Sequence, residues 1–283
     1  MSSQESVLIT GCSDGGLGAA LAATFQERGY RVFATSRSLK SMSKVSGLAG
    51  IHVLQLDITS GTDIQAAKTA VSEETGGSLS YLINCAAINH FMPLLDEKIE
   101  DAKKIHDTNV WGPLAVTQAF APLLIQAKGS VVFITSLAGH LNTPYQGTYA
   151  ASKMSEEIMA ETLRLELAPF GVKVLSVVSG ALKTMGQTHF DSWKLPVDSL
   201  YKPVEETIRD RARGQEGAPR MEPEVYAKRV VSEITANRTG KFWYGASAGV
   251  VKFCLSWLPT WLMDNGVQMK TGLDVLAQGK SSK

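Results

Sequence analysis

Cysteine is scarce in this chain. Three residues, Cys12, Cys85 and Cys254, occur among 283. An odd number without paired spacing argues against a disulfide framework and against a zinc site, and it fits a reducing compartment; no metal is expected. An excess of charge of one sign is also missing. Lys and Arg total 28 and Asp and Glu 27, a net charge of +1, so there is no bulk electrostatic case for nucleic acid. No stretch reaches the ~18 uninterrupted apolar residues of a membrane span. The opening "MSSQESVLIT" lacks the basic and apolar regions of a secretory signal.

What the chain does have is apolar material, 44% of its residues, ample for a large core. Short runs rich in Val, Ile and Leu predict strands at Val7–Thr10, Arg31–Thr35, His52–Leu56, Tyr81–Asn84, Ser130–Thr135 and Lys173–Val178. Between them, 3.6-residue periodicity predicts helices over Gly18–Arg28, Asp63–Glu74, Ile99–Ala127 and Ser152–Ala168. Strict alternation implies an α/β fold: a Rossmann-type, doubly wound parallel sheet with helices on both faces. Residues 1–283 are expected to form a single domain. Beyond residue 180 the pattern changes. A polar stretch with no clear strand runs to Pro223, followed by a helix over Glu224–Asn237 and a last strand at Lys241–Tyr244. An apolar segment then covers Gly245–Met263.

The first strand runs into "TGCSDGGLG", with Gly11, Gly16 and Gly18 ahead of the first helix. Backbone N–H groups at a helix start favour an anion, and glycines let a pyrophosphate approach. A glycine-rich surface turn is the alternative. Asp14 is expected to point outward or to cap the helix start, without touching phosphate.

Taken in order, Thr10-Gly11…Gly16-x-Gly18, Asn84-Cys85-Ala86-Ala87, Asn109, Ser136 and Tyr149-x-x-x-Lys153 resemble the short-chain dehydrogenase/reductase family, single-domain type. That family usually has a phosphate turn one residue shorter. The longer form resembles the fungal branch that includes the NADPH-dependent 1-acyldihydroxyacetone-phosphate reductases. The resemblance implies a dinucleotide site lined by Gly11, Ser13, Gly16, Leu17 and Gly18. It adds Asp57 and Ile58 at the adenine, Asn84 and Ala86 after the fourth strand, and Gly180 and Thr184 after the sixth. Cys85 and Ala87 stand where the family has Asn and Gly, and Ser179 where it has Pro. Cys85 reads as a packed small residue rather than a reactive thiol.

The second strand ends in Ser36-Arg37, where an NAD site commonly places an acid. A guanidinium suits a 2′-phosphate, so the expected cofactor is NADP(H), with Arg37 as the main contact and Ser36 assisting. A solvated surface arginine is the alternative.

Tyr149 and Lys153 lie one helical turn apart and can share a face. A ketone that accepts hydride needs a proton, and a phenol is a weak acid, with a reference pKa of ~10. The resemblance makes Tyr149 the proton donor. It has Lys153 lower the phenol's pKa and hold the nicotinamide ribose, so both also count among the cofactor residues. Ser136 would hydrogen-bond the carbonyl, and Asn109 would hold a water of the proton relay.

Residues 185–223 are expected to form a lid. Met185, Phe190 and Trp193 in it, with Tyr145 opposite, are the candidate substrate contacts, unless they only pack the lid onto the core. His189 reads as a surface residue. The segment 245–263 could rest on lipid, on a sister subunit or on the pocket.

The expected function is NADPH-dependent hydride transfer to a bulky lipophilic ketone, an acyl-dihydroxyacetone phosphate or a fungal secondary-metabolite intermediate. A non-redox isomerase, dehydratase or cyclase on the same fold is the alternative. The expected partners are that small molecule and further copies of the chain, as a homodimer or homotetramer. The expected location is the cytoplasm, with contact of the C-terminal segment to an intracellular membrane or a lipid droplet as an alternative.

Overall fold

The computed structural model describes residues 4–185 and 190–278. The Val, Ile and Leu runs become seven strands: β1 (Ser6–Thr10), β2 (Arg31–Ser36), β3 (Ile51–Gln55), β4 (Tyr81–Asn84), β5 (Ser130–Ser136), β6 (Lys173–Ser179) and β7 (Gly240–Tyr244). They form one sheet in the order β3-β2-β1-β4-β5-β6-β7, and every neighbouring pair is parallel. All five residues of β1 are buried, as expected for a strand covered on both faces.

Helices cover the two faces. On one side α1 (Leu17–Glu27) packs through Leu21 and Phe25, and α7 (Pro223–Thr235) through Tyr226, Val230 and Ile234. On the other, α2 (Gly61–Thr75) brings Ile64 and Val71, and α5 (Gly147–Leu167) brings Ala160. Between them runs one long helical segment: α3 (Ile99–His106), a π-helical turn (Asp107–Trp111) and α4 (Gly112–Ala127), the last burying Val116, Phe120 and Leu124. This segment is long and apolar enough, by length and composition, to cross a membrane. Here its apolar face covers the sheet.

The fold differs from expectation in three places. First, α5 begins at Gly147, five residues before Ser152, so Tyr149 lies inside its first turn. Tertiary contacts start it early: Leu94 packs over Gly147, and the Thr148 hydroxyl donates to Glu97 at 2.6 Å. Second, the polar stretch before Pro223 contains α6 (Glu205–Ala212), which buries Ile208 and Ala212. Third, the apolar segment is two helices, α8 (Ala248–Trp257) and α9 (Thr260–Gln268), separated at Leu258-Pro259, where proline keeps its predecessor extended. A short α10 (Leu273–Gln278) follows.

The sheet order reverses between β1 and β4, which are adjacent although β2 and β3 intervene in sequence. A crevice opens at such a reversal, beyond the C-terminal strand ends.

Candidate active site

The crevice begins with a side-chain clamp. Thr10 Oγ1 accepts the backbone N–H groups of Cys85 and Ala86, each at 3.0 Å, and so ties the end of β4 to the end of β1. The chain then turns at Gly11 with φ +78°, where a Cβ would meet Ala86 Cα at 2.7 Å. At Gly18 a Cβ would fall 2.4 Å from the carbonyl oxygen of Gly11. Helix α1 starts at Leu17 behind Gly16, with no side chain capping it. Its first N–H groups are therefore available to an anion lodged in the turn. Asp14 serves elsewhere. Its carboxylate accepts the Ser43 hydroxyl at 2.6 Å and the Lys44 N–H at 3.1 Å, pinning the longer turn to the segment after β2 instead of capping α1.

At the end of β2 three hydroxyls meet. Ser13 and Ser36 lie 3.0 Å apart, Ser13 and Ser41 3.1 Å, and Ser36 and Ser41 2.9 Å. Arg37 is exposed beside them and lines the same crevice. Opposite, Asp57 accepts the N–H of Thr59 at 2.9 Å and its hydroxyl at 2.7 Å. Burial alone would raise the Asp57 carboxyl. The Thr59 hydrogen bonds and the Arg37 charge outweigh it and hold the group below the usual carboxylate range.

The far wall carries Ser136, at the end of β5, and Tyr149 and Lys153 on α5. All three line one cleft of about 830 Å³ that also takes in Gly11, Gly18, Arg37 and Asp57. Ser136 Oγ accepts the Ala138 N–H at 3.2 Å. Lys153 is buried, and its Nζ donates to the Ile134 carbonyl at 3.0 Å and to Glu156 Oε2 at 2.8 Å. Burial works against the Lys153 charge, but Glu156 and then Tyr149 outweigh it, leaving the ammonium above the ordinary lysine range. Cys85 is held as a neutral thiol, pushed up to about 12 by burial.

Ser13, Gly16, Leu17, Ser36, Ile58, Ala86, Gly180, Thr184 and Met185 also line the cleft. Five predicted residues do not. Asn84 is buried with its Nδ2 donating to Thr117 at 3.0 Å, while its Oδ1 is buried with no hydrogen-bond partner among the described residues. Asn109 is fully buried in the π-helical turn. Its amide bonds both backbone groups of Ile88 and reaches Ser152 at 3.0 Å, so its side chain braces the loop after β4. Tyr145, Phe190 and Trp193 pack into a small core with Phe91. Tyr145 donates to the Thr271 carbonyl at 3.1 Å, Phe190 packs edge-on to Phe91, and Trp193 donates to the Phe91 carbonyl at 2.7 Å. Bulky aromatics gain from burial and ring contacts, which here come from one another and from Phe91. His189 lies outside the described residues.

The cleft is completed by residues that the sequence did not single out: Phe91, Leu137 and Leu182, with Arg211, Glu216 and Arg220 from α6 and the loop after it. The pairing of Ile208 with Ala212, acids opening the run and arginines closing it, was the available signal for that helix.

Comparison with known proteins agrees with this geometry. The family described as short chain dehydrogenase matches residues 5–195. The chain belongs to the short-chain dehydrogenase family. It is 42% identical over 262 residues to the short-chain dehydrogenase ptmH of Penicillium ochrochloron, covering 92% of this chain and 96% of that one. It is 38% identical over 212 residues to the NADPH-dependent 1-acyldihydroxyacetone phosphate reductase of Schizosaccharomyces pombe, covering 74% and 71%. Among solved structures, a short-chain dehydrogenase from Streptomyces avermitilis superposes with a TM-score of 0.77 at 23% identity, over 99% of both chains. One from Burkholderia cenocepacia, in complex with NADP, gives 0.73 at 24%, over 93% of this chain and 97% of that one.

The residues of this short-chain dehydrogenase fit the nicotinamide cofactor its family uses. Glycines stand where a side chain would block the turn, uncapped helix N–H groups face it, and an ammonium and a phenol line the same cleft.

Proposed function

We propose that this short-chain dehydrogenase is an NADPH-dependent reductase of a bulky lipophilic ketone. The observation that carries the reading is that Ser136, Tyr149 and Lys153 line the same cleft as the glycines of the phosphate turn. A bound nicotinamide cofactor would supply the hydride. The chain's own residues do the rest. The Ser136 hydroxyl orients the carbonyl and stabilises charge growing on its oxygen. Tyr149 Oη gives that oxygen a proton, and Lys153 stabilises the phenolate left behind.

Arg37 beside the three serine hydroxyls supports NADPH over NADH, because a guanidinium and converging hydroxyls suit a phosphate and no carboxylate occupies the end of β2. Phe91, Leu137, Leu182 and Met185 on the lining support an apolar substrate, such as an acyl-dihydroxyacetone phosphate or a secondary-metabolite ketone.

Two surface features bear on partners. Trp111, Ile158 and Leu165 are exposed along the π-helical turn and α5, which supports a homodimer or homotetramer formed through these helices. Phe253, Trp257 and Trp261 are exposed on α8 and α9, with Trp257 at 74%, which supports peripheral contact of a cytoplasmic enzyme with an intracellular membrane or lipid droplet.

The test is a panel of ketones, from acyl-dihydroxyacetone phosphates to polycyclic ketones, followed with NADPH and with NADH. Substrate consumed without loss of reduced-nicotinamide absorbance would exclude the redox reading and leave an isomerase, dehydratase or cyclase.

A further inference from the structure

One turn beyond Lys153, α5 carries two consecutive buried glutamates, Glu156 and Glu157. On an isolated helix they would read as solvated charges. Glu157 finds its partners on other elements. His140 Nε2 lies 3.0 Å from Oε2, Lys241 Nζ of β7 lies 2.6 Å from Oε1, and the Thr135 hydroxyl of β5 lies 3.4 Å from Oε2. Glu156 has Lys153. Its Oε2 stands 2.8 Å from Nζ, and the two side chains are 2% and 4% exposed. Lys153 lines the cleft and Glu156 does not, so the carboxylate supports the ammonium from the protein side.

An exposed i,i+3 pair of this kind contributes little. A buried one is different, because each ion alone is strongly penalised and the pair persists only while both partners stay. The remaining groups that face it are few. Tyr149 and Glu157 lie on the same helix and Cys85 lies after β4, with His140 and Lys241 standing beyond Glu157. Cys85 is neutral, and Glu157 is balanced by its own two partners. The charge that Tyr149 feels through Lys153 is therefore governed by Glu156.

We propose that Glu156 is a positioning residue for the proton chemistry at Tyr149: it fixes Lys153 Nζ in place and, by offsetting the ammonium, keeps the Tyr149 phenol protonated for reduction. This rests on reading Tyr149 as the proton donor. Burial pushes the Glu156 carboxyl up to about 7 against the pull of Lys153. Its charge therefore changes near neutral pH. Above that point the Lys153–Glu156 pair is neutral overall. Below it the ammonium acts alone.

The test variant is Glu156→Gln, which keeps the shape and the acceptor and removes the charge. Phenol ionisation is read in the cofactor-free protein by NMR of ring-labelled tyrosine, with the Tyr149 signal assigned by its loss in Tyr149→Phe. The Tyr149 midpoint is expected to fall by about one pH unit or more, a tenfold gain in acidity of the size a nearby charge exerts. The pH optimum of alcohol oxidation should move down with it. An unmoved or raised midpoint overturns the proposal. If Glu156→Gln does not fold, the wild-type protein decides, since its Tyr149 resonance must show a second inflection near neutral pH as Glu156 titrates, and a single inflection overturns the proposal. A lowered midpoint without redox turnover on any ketone removes the reductase reading and leaves the coupling intact. Turnover with an unmoved midpoint does the reverse.

Discussion

The side-chain amide of Asn109 pairs with both backbone groups of Ile88, accepting its N–H at 2.8 Å and donating to its carbonyl at 2.9 Å. The π-helical turn makes this reach possible by setting Asn109 off the regular helical register, and the result is a braced loop between β4 and α3. Asn109→Ala leaves two part-buried backbone groups of Ile88 without their partner. The expected loss of stability is about 1–3 kcal/mol, measured by urea unfolding, with any loss of turnover following from it. Unchanged stability would return Asn109 to a role in holding water.

Gly18→Ala places a methyl group 2.4 Å from the Gly11 carbonyl oxygen, where the neighbouring atom is backbone and cannot swing aside. The expected outcome is a loss of about 1–3 kcal/mol in stability together with weaker cofactor binding by fluorescence titration. Gly249→Ala is the control. No atom lies within 4 Å of its added carbon, and stability should hold or rise slightly.

Arg37→Ala tests which dinucleotide the protein prefers. A charge-assisted contact to a phosphate contributes about 1.5–3 kcal/mol, so NADPH affinity should fall roughly 10- to 100-fold while NADH affinity stays within about twofold. Equal losses for both cofactors would make Arg37 a structural or surface residue.

The two buried glutamates predict opposite pH dependences of stability. Glu156 titrates at about 7 in the folded protein and near ~4.3 when unfolded. The native state therefore holds the extra proton between these values, and stability falls as pH rises through that window. Glu156→Gln should flatten the slope. For Glu157, burial raises the carboxyl but the His140 and Lys241 hydrogen bonds outweigh it, so its folded value lies below the ordinary one. Its contribution is present above the unfolded value and is lost as pH falls through the folded one. Glu157→Gln should blunt the acid limb alone. Thermal melts across pH read both effects.

The strands were legible because their signals are local, runs of Val, Ile and Leu, whereas Ser136, Tyr149 and Lys153, which line one cleft, stood out through the family resemblance. What could not be read depends on tertiary partners. Tyr145, Phe190 and Trp193 are aromatic whether they line a pocket or fill a core, and only the packing around Phe91 and Thr271 separates the two. Ser41 joins Ser13 and Ser36 from a separate segment. Asn109 depends on a π-helical turn that no residue pattern announces. Glu156 looks like an exposed helix charge until the neighbouring strands bury it.

The central claim is that Tyr149 protonates the carbonyl oxygen as hydride arrives. Single-turnover loss of reduced-nicotinamide absorbance, with a ketone from the panel and saturating NADPH, tests it most directly when wild type is set beside Tyr149→Phe. The expected result is a rate lower by about 100-fold or more in the variant, the contribution typical of a positioned acid, with NADPH affinity preserved. Equal rates in the two proteins would contradict the account.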